Sequence, residues 1–166
     1  MSYIVNVTLT ILKGCITTLE IYAVTAVLSF PLGIAGALGK ASRFKILRKA
    51  LDIYTLVIRG TPLMLQIFFA YYGLPTLGIT FSPFLAAAIT FVINYAAYLT
   101  EIFRAGIESI DRGQYEAARV LGMNYFQTMR RVILPQAVRR VLPPTCNESI
   151  NLIKDTALLS VISMGD

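Results

Sequence analysis

The stretch GTPLMLQIFFAYYGLPTLGITFSPFLAAAITFVINYAAYLT, residues Gly60–Thr100, decides the fold, because its 41 residues include no Asp, Glu, Lys or Arg. A second uncharged run extends from Ile21 to Leu38. Uncharged apolar runs of about 18 residues or more are typical of transmembrane helices. The sequence therefore predicts an all-α membrane protein.

The composition of the chain supports this class and excludes several others. Of its 166 residues, 56% are hydrophobic and only 14% are charged, whereas soluble domains have about 25% charged residues. The chain has no His, and its two cysteines, Cys15 and Cys146, are too few and too scattered for a disulfide framework or a metal site. Basic loops beside a membrane explain the net charge of +6 more simply than nucleic acid does. We therefore expect no catalytic residue, no metal and no nucleic-acid partner.

About four membrane spans fit the pattern. The first covers about Ile16–Leu38, and the third covers about Pro83–Phe103. Two spans and the turn between them do not fit within the 41-residue uncharged run, because each span alone needs about 20 residues. The second must reach back to about Ile53 and include the helix-disturbing Thr61-Pro62, before a turn rich in Gly and Pro, YYGLPTLGITFSP. A fourth, broken span follows Pro135, where charges and prolines interrupt the apolar residues.

The distribution of Lys and Arg predicts the orientation of these spans. Basic residues cluster after the first span, from Lys40 to Lys49, and again after the third, from Arg104 to Arg131. Two loops separated by two spans lie on the same side of the membrane. Since basic loops face the cytoplasm, the amino terminus is expected to be extracytoplasmic.

The second basic loop contains the stretch GQYEAARVLGMNYFQTMRRVILPQA, residues Gly113–Ala137. It predicts two short helices, because Asp111-x-x-Gln114 and Asn124-x-x-Gln127 resemble capping boxes and Gly122 suits a left-handed helix end between them. Pro135 is expected to end or kink the second helix. Apolar residues recur at helical spacing: Tyr115, Ala118 and Leu121, then Phe126, Met129 and Ile133. Such helices either lie on the membrane surface or dock into a groove on a partner.

Polar residues on two of the spans are candidates for a substrate path. They are spaced so that each set shares one helix face: Asn94, Tyr98 and Glu101 on the third span, and Glu148, Asn151 and Asp155 on the fourth. Such stripes could hold the ammonium and carboxylate of an amino acid. Alternatively, Glu101 pairs with Arg104 or Arg59, and the asparagines join helices. Arg59 is either a carboxylate ligand or a structural residue near the membrane surface.

The loop resembles the EAA loop of permease subunits of bacterial ABC importers. That motif has the form Glu-Ala-Ala, three residues, Gly and an apolar-Leu-Pro end, and its positions are occupied by Glu116, Ala117, Ala118, Gly122, Ile133, Leu134 and Pro135. Other stretches resemble the polar amino-acid (histidine/glutamine-type) branch: RGTPLMLQIFFAYYGLP, AAYLTEIFRAGIESIDRGQYEAA and ILPQAVRRVLPPTCNESINLIKDTALLSVI. The resemblance covers about residues 8–166.

The resemblance implies one transmembrane permease domain over residues 1–166, with a cytoplasmic coupling loop at 111–135. It implies a subunit of an ATP-driven importer of polar amino acids in the bacterial inner membrane, which is not itself an enzyme. It also implies that the loop couples to the ATPase through Gln114, Glu116, Ala117, Ala118, Arg119, Gly122 and Met123. The implied partners are two ATPase subunits, a second permease that is a copy or a related chain, an extracytoplasmic amino-acid-binding protein and membrane lipid.

The chain itself is expected to bind no ATP. The stretch GIAGALGKAS approaches the phosphate-loop pattern, but Ile34 and Ala41 stand where that pattern needs Gly and Ser or Thr. The resemblance implies that ATP and Mg²⁺ are held by the partner ATPase. Permeases of this branch usually have a fifth span after Lys-Asp-Thr, so the domain is expected to lack its C-terminal span. A self-contained, gradient-driven secondary transporter or channel is the alternative function.

Overall fold

The computed structural model describes residues 2–162, and every regular element in this range is helical. It contains seven α-helices: α1 (Ser2–Lys40), α2 (Lys45–Gly60), α3 (Leu63–Phe68), α4 (Pro83–Glu108), α5 (Arg112–Val120), α6 (Tyr125–Thr128) and α7 (Leu134–Asp155). Two π-helical turns (Phe69–Gly73 and Met129–Ile133) and two 3-10 helices (Leu74–Leu77 and Thr156–Ile162) join or extend them. The predicted all-α class is confirmed.

By length and composition, two of these helices can cross a membrane, over Val7–Lys40 and Pro83–Glu108. A third crossing is obtained if α2 and the segment Leu63–Leu77 are counted as one bent span. These correspond to the first three predicted spans. The predicted fourth span, α7, is not among them, because five charged residues lower its hydropathy: Arg139, Arg140, Glu148, Lys154 and Asp155. Within residues 2–162 this measure therefore gives two or three spans rather than four.

Helices α1 and α4 form the most extensive helix contact and run in the same direction. Ile21 packs in one core cluster with Phe91, and further along both helices Gly36 meets Thr100. A Cβ atom on Gly36 would lie 2.2 Å from the Thr100 hydroxyl oxygen. Small residues permit such close approach between membrane helices, so the glycines inside the first predicted span serve packing.

The second predicted span is not one continuous helix. It bends by 103° between α2 and the segment Leu63–Leu77. The bend lies at Thr61, whose backbone is extended (φ −111°, ψ 139°), because Pro62 disfavours helical geometry in the residue before it. Gln66 Nε2 donates to the Ile58 carbonyl over 2.8 Å and so satisfies a backbone acceptor in the last turn of α2. The correction to the predicted span is therefore a re-entrant or broken segment.

Helix α7 packs antiparallel to α4. Gly106, near the end of α4, lies against Val141 near the start of α7. At the other end of this contact, the Tyr95 hydroxyl donates to Asp155 Oδ2 over 2.6 Å. The antiparallel arrangement turns the polar face of α7 toward the polar face of α4.

Between α4 and α7 the chain forms the two predicted short helices. Asn124 and Gln127 form a complete capping box at the start of α6, and Gly122 has a left-handed backbone with φ of 72°, as predicted. At the start of α5, Asp111 caps the helix by accepting from the Gly113 N–H over 2.6 Å. Gln114 does not complete that box, since its Oε1 accepts from Gln136 Nε2 instead.

Pro135 does not end the helical run. The π-helical turn Met129–Ile133 comes directly before α7, and Pro135 occupies the first turn of that helix. Proline is tolerated there, because the N–H groups of a first turn have no intrahelical partner. The chain therefore continues helically from Tyr125 to Asp155 with a local widening rather than a stop.

Candidate functional site

A cavity of about 430 Å³ lies where α2, α3, α4 and α7 meet. We refer to it as the substrate cavity, after the predicted substrate-path residues that line it. It brings together six of the seven predicted substrate-path residues, with the break between α2 and α3 forming one wall. Its lining is Arg59, Gly60, Thr61, Pro62, Leu63, Asn94, Tyr95, Tyr98, Glu148, Asn151 and Asp155.

The α4 wall of the cavity is anchored to α3. Asn94 is buried, and its Nδ2 donates to Gln66 Oε1 over 3.1 Å. Gln66 uses its own Nε2 to donate to Thr61 Oγ1 over 2.7 Å. The alternative in which an asparagine joins helices is therefore realised at Asn94, which also borders the cavity.

Charged groups of both signs face the cavity. Glu148 and Asp155 lie on α7, about two helical turns apart, with Asn151 between them. The Arg59 guanidinium lies 5.1 Å from the centroid of the Tyr98 ring, a cation–π contact. Among residues 2–162, no carboxylate forms an ion pair with Arg59 within 4.0 Å. Its hydrogen-bond donors therefore have no anionic partner in this part of the chain.

Glu101 lies apart from the substrate cavity. Its Oε2 accepts from Arg104, whose Nη2 lies 2.7 Å away, and its Oε1 accepts from Lys40. The structure thus has the alternative arrangement, a pair with Arg104, rather than a continuous stripe with Asn94 and Tyr98. Glu101 stays on the same face of α4 as Asn94 and Tyr98, but it lies about 4.5 Å further along the helix axis than Tyr98, where Lys40 of α1 and Thr55 of α2 contact it.

Three residues that contribute to this region were not among the candidate site residues predicted from the sequence. Lys40 was grouped with the basic loop, yet it is buried beside Asp52 and Glu101. Tyr95 lines the cavity and donates to Asp155. Gln66 was detectable, since it is one of few amides within the uncharged run.

The second candidate surface is the loop between α4 and α7. Four apolar residues there, which we call the loop tip, are largely exposed: Val120 (87%), Leu121 (78%), Tyr125 (77%) and Phe126 (69%). Glu116, Ala117, Arg119 and Gly122 are also exposed, and Met123 is half-buried. The predicted apolar stripes are therefore divided, because Leu121 and Phe126 point outward.

The other face of this loop packs on the body of the chain. Ala118 is buried, so its side chain packs within the chain. Tyr115 and Met129 pack against a core cluster of Ile110, Ile133 and Ala137. Burial raises the pKa of the Tyr115 hydroxyl above its ordinary value, with a smaller contribution from Tyr125, so the phenol stays neutral at physiological pH. The loop is thus held rigidly while its tip is presented outward.

No group of three or more His, Cys, Asp or Glu residues in the described range is arranged to hold a metal ion. The lysine of the incomplete phosphate-loop pattern, Lys40, is engaged with Asp52 and Glu101.

Comparisons with known proteins converge on one family. Residues 29–166 match the family described as binding-protein-dependent transport system inner membrane component. The chain is similar to the arginine transport system permease protein ArtQ of Bacillus subtilis, with 45% identity over 94% of this chain and 72% of that protein. It is also similar to the L-cystine transport system permease protein TcyB of Bacillus subtilis, with 40% identity over 92% of this chain and 65% of that protein.

A solved structure agrees with these sequence matches. The fold is similar to a chain in the crystal structure of an amino acid ABC transporter with histidines, with a TM-score of 0.92 and 40% identity. The match covers 99% of this chain and 77% of that chain.

Proposed function

The chain belongs to the family of binding-protein-dependent transport system inner membrane components, and from this premise we propose that it translocates polar amino acids as one permease subunit of an ABC importer. It is a multi-pass inner-membrane transport component, not an enzyme. Its task is to contribute a path through the membrane and to change access to that path.

The observation that carries the choice of substrate is the mixed charge of the substrate cavity. A zwitterionic amino acid presents a carboxylate and an ammonium group. Arg59 offers a guanidinium that can bind a carboxylate through two parallel hydrogen bonds. Across the cavity, Glu148 and Asp155 on α7 offer carboxylates that can bind the ammonium group of the amino acid. Ionisable residues inside a membrane bundle are costly and usually mark a substrate path.

The orientation follows from the basic residues. Helices α1 and α4 run in the same direction, and each is followed by a basic segment. We assign that side to the cytoplasm, so the amino terminus is extracytoplasmic. With α7 as a fourth crossing, the charged face of α7 turns toward the path and away from lipid.

The loop supplies the coupling to ATP hydrolysis. Its exposed apolar tip and the charges of Glu116 and Arg119 suit a cleft on a protein partner. The partners are two ATPase subunits, which hold ATP and Mg²⁺, a second permease and an extracytoplasmic amino-acid-binding protein. Closure of the ATPase dimer biases inward- against outward-facing states through this rigid contact.

Co-purification tests the proposal. The chain is co-expressed with the second permease and the ABC ATPase encoded beside it, solubilised in mild detergent and recovered on a tag carried by the ATPase. Glu116→Lys and Leu121→Asp are compared with Leu77→Asp, a matched control because Leu77 is 70% exposed in the 3-10 helix between α3 and α4.

Wild type and Leu77→Asp are expected to co-purify with the ATPase, and the two loop variants to be recovered about tenfold less. Glu116→Lys loses a charged contact, which costs about 1.5–3 kcal/mol, and Leu121→Asp places an unpaired charge in an apolar contact. Uptake in proteoliposomes completes the test. ATP-dependent uptake of an amino acid supports the importer. Uptake that ignores ATP and collapses with the proton gradient would instead establish a secondary transporter.

A further inference from the structure

Lys40 ends α1, and its side chain is only 4% exposed. Lysine is almost never buried unless it is paired. Its Nζ lies 2.8 Å from Asp52 Oδ1 on α2, and it donates to Thr55 Oγ1 over 2.7 Å and to Glu101 Oε1 on α4. Lys40 therefore joins three helices at one point.

Glu101 is held from both sides. Thr55 Oγ1 donates to its Oε1 over 3.0 Å, at the oxygen that also faces Lys40. Its Oε2 accepts from Nε and Nη2 of Arg104 over 2.9 and 2.7 Å, and Arg104 also pairs with Glu108. Lys40 and Glu101 thus each have a second partner of opposite charge.

Three cavities, of which the substrate cavity is the first, lie in a series in which each shares lining residues with the next. A shallow, open pocket of about 540 Å³, which we call the middle cavity, shares Arg59 and Gly60 with the substrate cavity, and it is also lined by Lys40, Asp52 and Glu101. A loop-side cavity of about 450 Å³ is lined by the same three charged residues and by others nearer the loop: Ala41, Arg48, Arg104 and Glu108. Because Lys40 and Glu101 border both, their ion pair lies between the middle and loop-side cavities.

The position along α4 gives the direction of this series. Glu101 lies about 4.5 Å beyond Tyr98 along the helix axis, and Glu108 lies about 10 Å further, at 1.5 Å per residue. Glu108 is the last residue of α4, and the loop with α5 follows it. The ion pair therefore stands between the substrate cavity and the loop end of the molecule.

We propose that the Lys40–Glu101 ion pair is a gate that closes the substrate path on the loop side. This inference rests on the proposed function, since it assigns a role to residues bordering the same path. Separating a buried ion pair is normally unfavourable, because it leaves a charge without a partner. Here Lys40 keeps Asp52 and Glu101 keeps Arg104. The pair can therefore open without stranding either charge, which suits a reversible gate.

Cysteine labelling tests the gate in the importer assembled with its partner subunits. Cys15 and Cys146 are replaced by Ser, and Leu63→Cys reports on the substrate cavity, which Leu63 lines. The rate of reaction with a charged, membrane-impermeant methanethiosulfonate is measured from each side of membrane vesicles. Val120→Cys at the exposed loop tip identifies the loop side in the same preparations.

In the nucleotide-free importer, Leu63→Cys is expected to react slowly from the loop side. Glu101→Gln and Lys40→Met are expected to raise that rate about tenfold, the factor that corresponds to about 1.4 kcal/mol taken from the closed arrangement. The rate from the opposite side is expected to stay unchanged. Lys49→Met is the control, because Lys49 is exposed on α2 and lines none of the three cavities, and it should leave both rates unchanged.

Three results would overturn the gate. These are equal loop-side rates in the parent and in both gate variants, an equal increase from both sides, or a parent that already reacts as fast as Val120→Cys. Failure of the proposed function is distinguished by another readout. It appears as wild-type chain that neither binds an ATPase nor supports ATP-dependent uptake, whatever the labelling rates are.

Discussion

Arg59 and Tyr98 set the character of the substrate cavity at the scale of single residues. The guanidinium stands over the aromatic ring with its centre 5.1 Å from the ring centroid. Such a contact fixes the plane of the guanidinium while leaving its edge donors free. Glu148 and Asp155 stand on the other wall. The geometry therefore favours a ligand that carries both a carboxylate and a cationic group.

Replacing Arg59 by Met should raise the amino-acid concentration at half-maximal uptake about tenfold to a hundredfold, because hydrogen bonds to charged groups contribute about 1.5–3 kcal/mol. Arg59→Lys should have a smaller effect, since it keeps the charge but loses the two-pronged geometry. Uptake kinetics in proteoliposomes provide the measurement. Lys49→Met, an exposed position on the same helix that does not line the cavity, serves as control. Wild-type kinetics for Arg59→Met would remove this residue from the substrate site.

At the scale of elements, local signals were read correctly where a few neighbouring residues decide the geometry. The capping box of Asn124 and Gln127 and the left-handed Gly122 needed no information beyond their own stretch of chain. The size of the bend at Thr61-Pro62 was not predictable. Proline indicates a break, but the angle of 103° is fixed by the packing of α3 against α4 and by the Gln66 hydrogen bonds.

The turn at Gly122 provides a prediction for the loop as an element. A Cβ atom would meet nothing within 4 Å there, so a substitution acts through the backbone alone. Gly122→Val should shift the turn, because a left-handed conformation costs an L-residue about 1–2 kcal/mol. ATP hydrolysis by the assembled importer should then continue with less amino acid transported per ATP.

The control for this turn is Gly122→Asn, since asparagine tolerates left-handed geometry better than other L-residues. It should keep a ratio of transport to hydrolysis close to that of the wild type. The measurement is the number of amino-acid molecules taken up per phosphate released in proteoliposomes. If Gly122→Val kept the wild-type ratio, the shape of this turn would have no part in coupling.

At the scale of the whole molecule, helical spacing predicted which residues share a face but not which faces meet. The stripes on α4 and α7 line one cavity only because these helices pack antiparallel. Lys40 was misread for the same reason. Its neighbours in sequence are basic and suggest a solvated loop, whereas its burial arises from α2 folding back so that Asp52 and Thr55 reach it.

The arrangement of the whole chain also predicts that the two ends of α4 lie on opposite sides of the membrane. The 3-10 helix Leu74–Leu77 precedes α4 and the loop tip follows it, so the two lie at opposite ends of α4. With the basic segments in the cytoplasm, Thr76 should face outward and Val120 inward.

We therefore expect an impermeant maleimide to label Thr76→Cys in spheroplasts, in a chain with Cys15 and Cys146 replaced by Ser. Val120→Cys should react only in inverted vesicles, and the cysteine-free chain should react in neither. The reverse pattern would contradict the extracytoplasmic amino terminus, because it would set both basic segments outside the cell. Labelling of both positions from one side would contradict a complete crossing by α4.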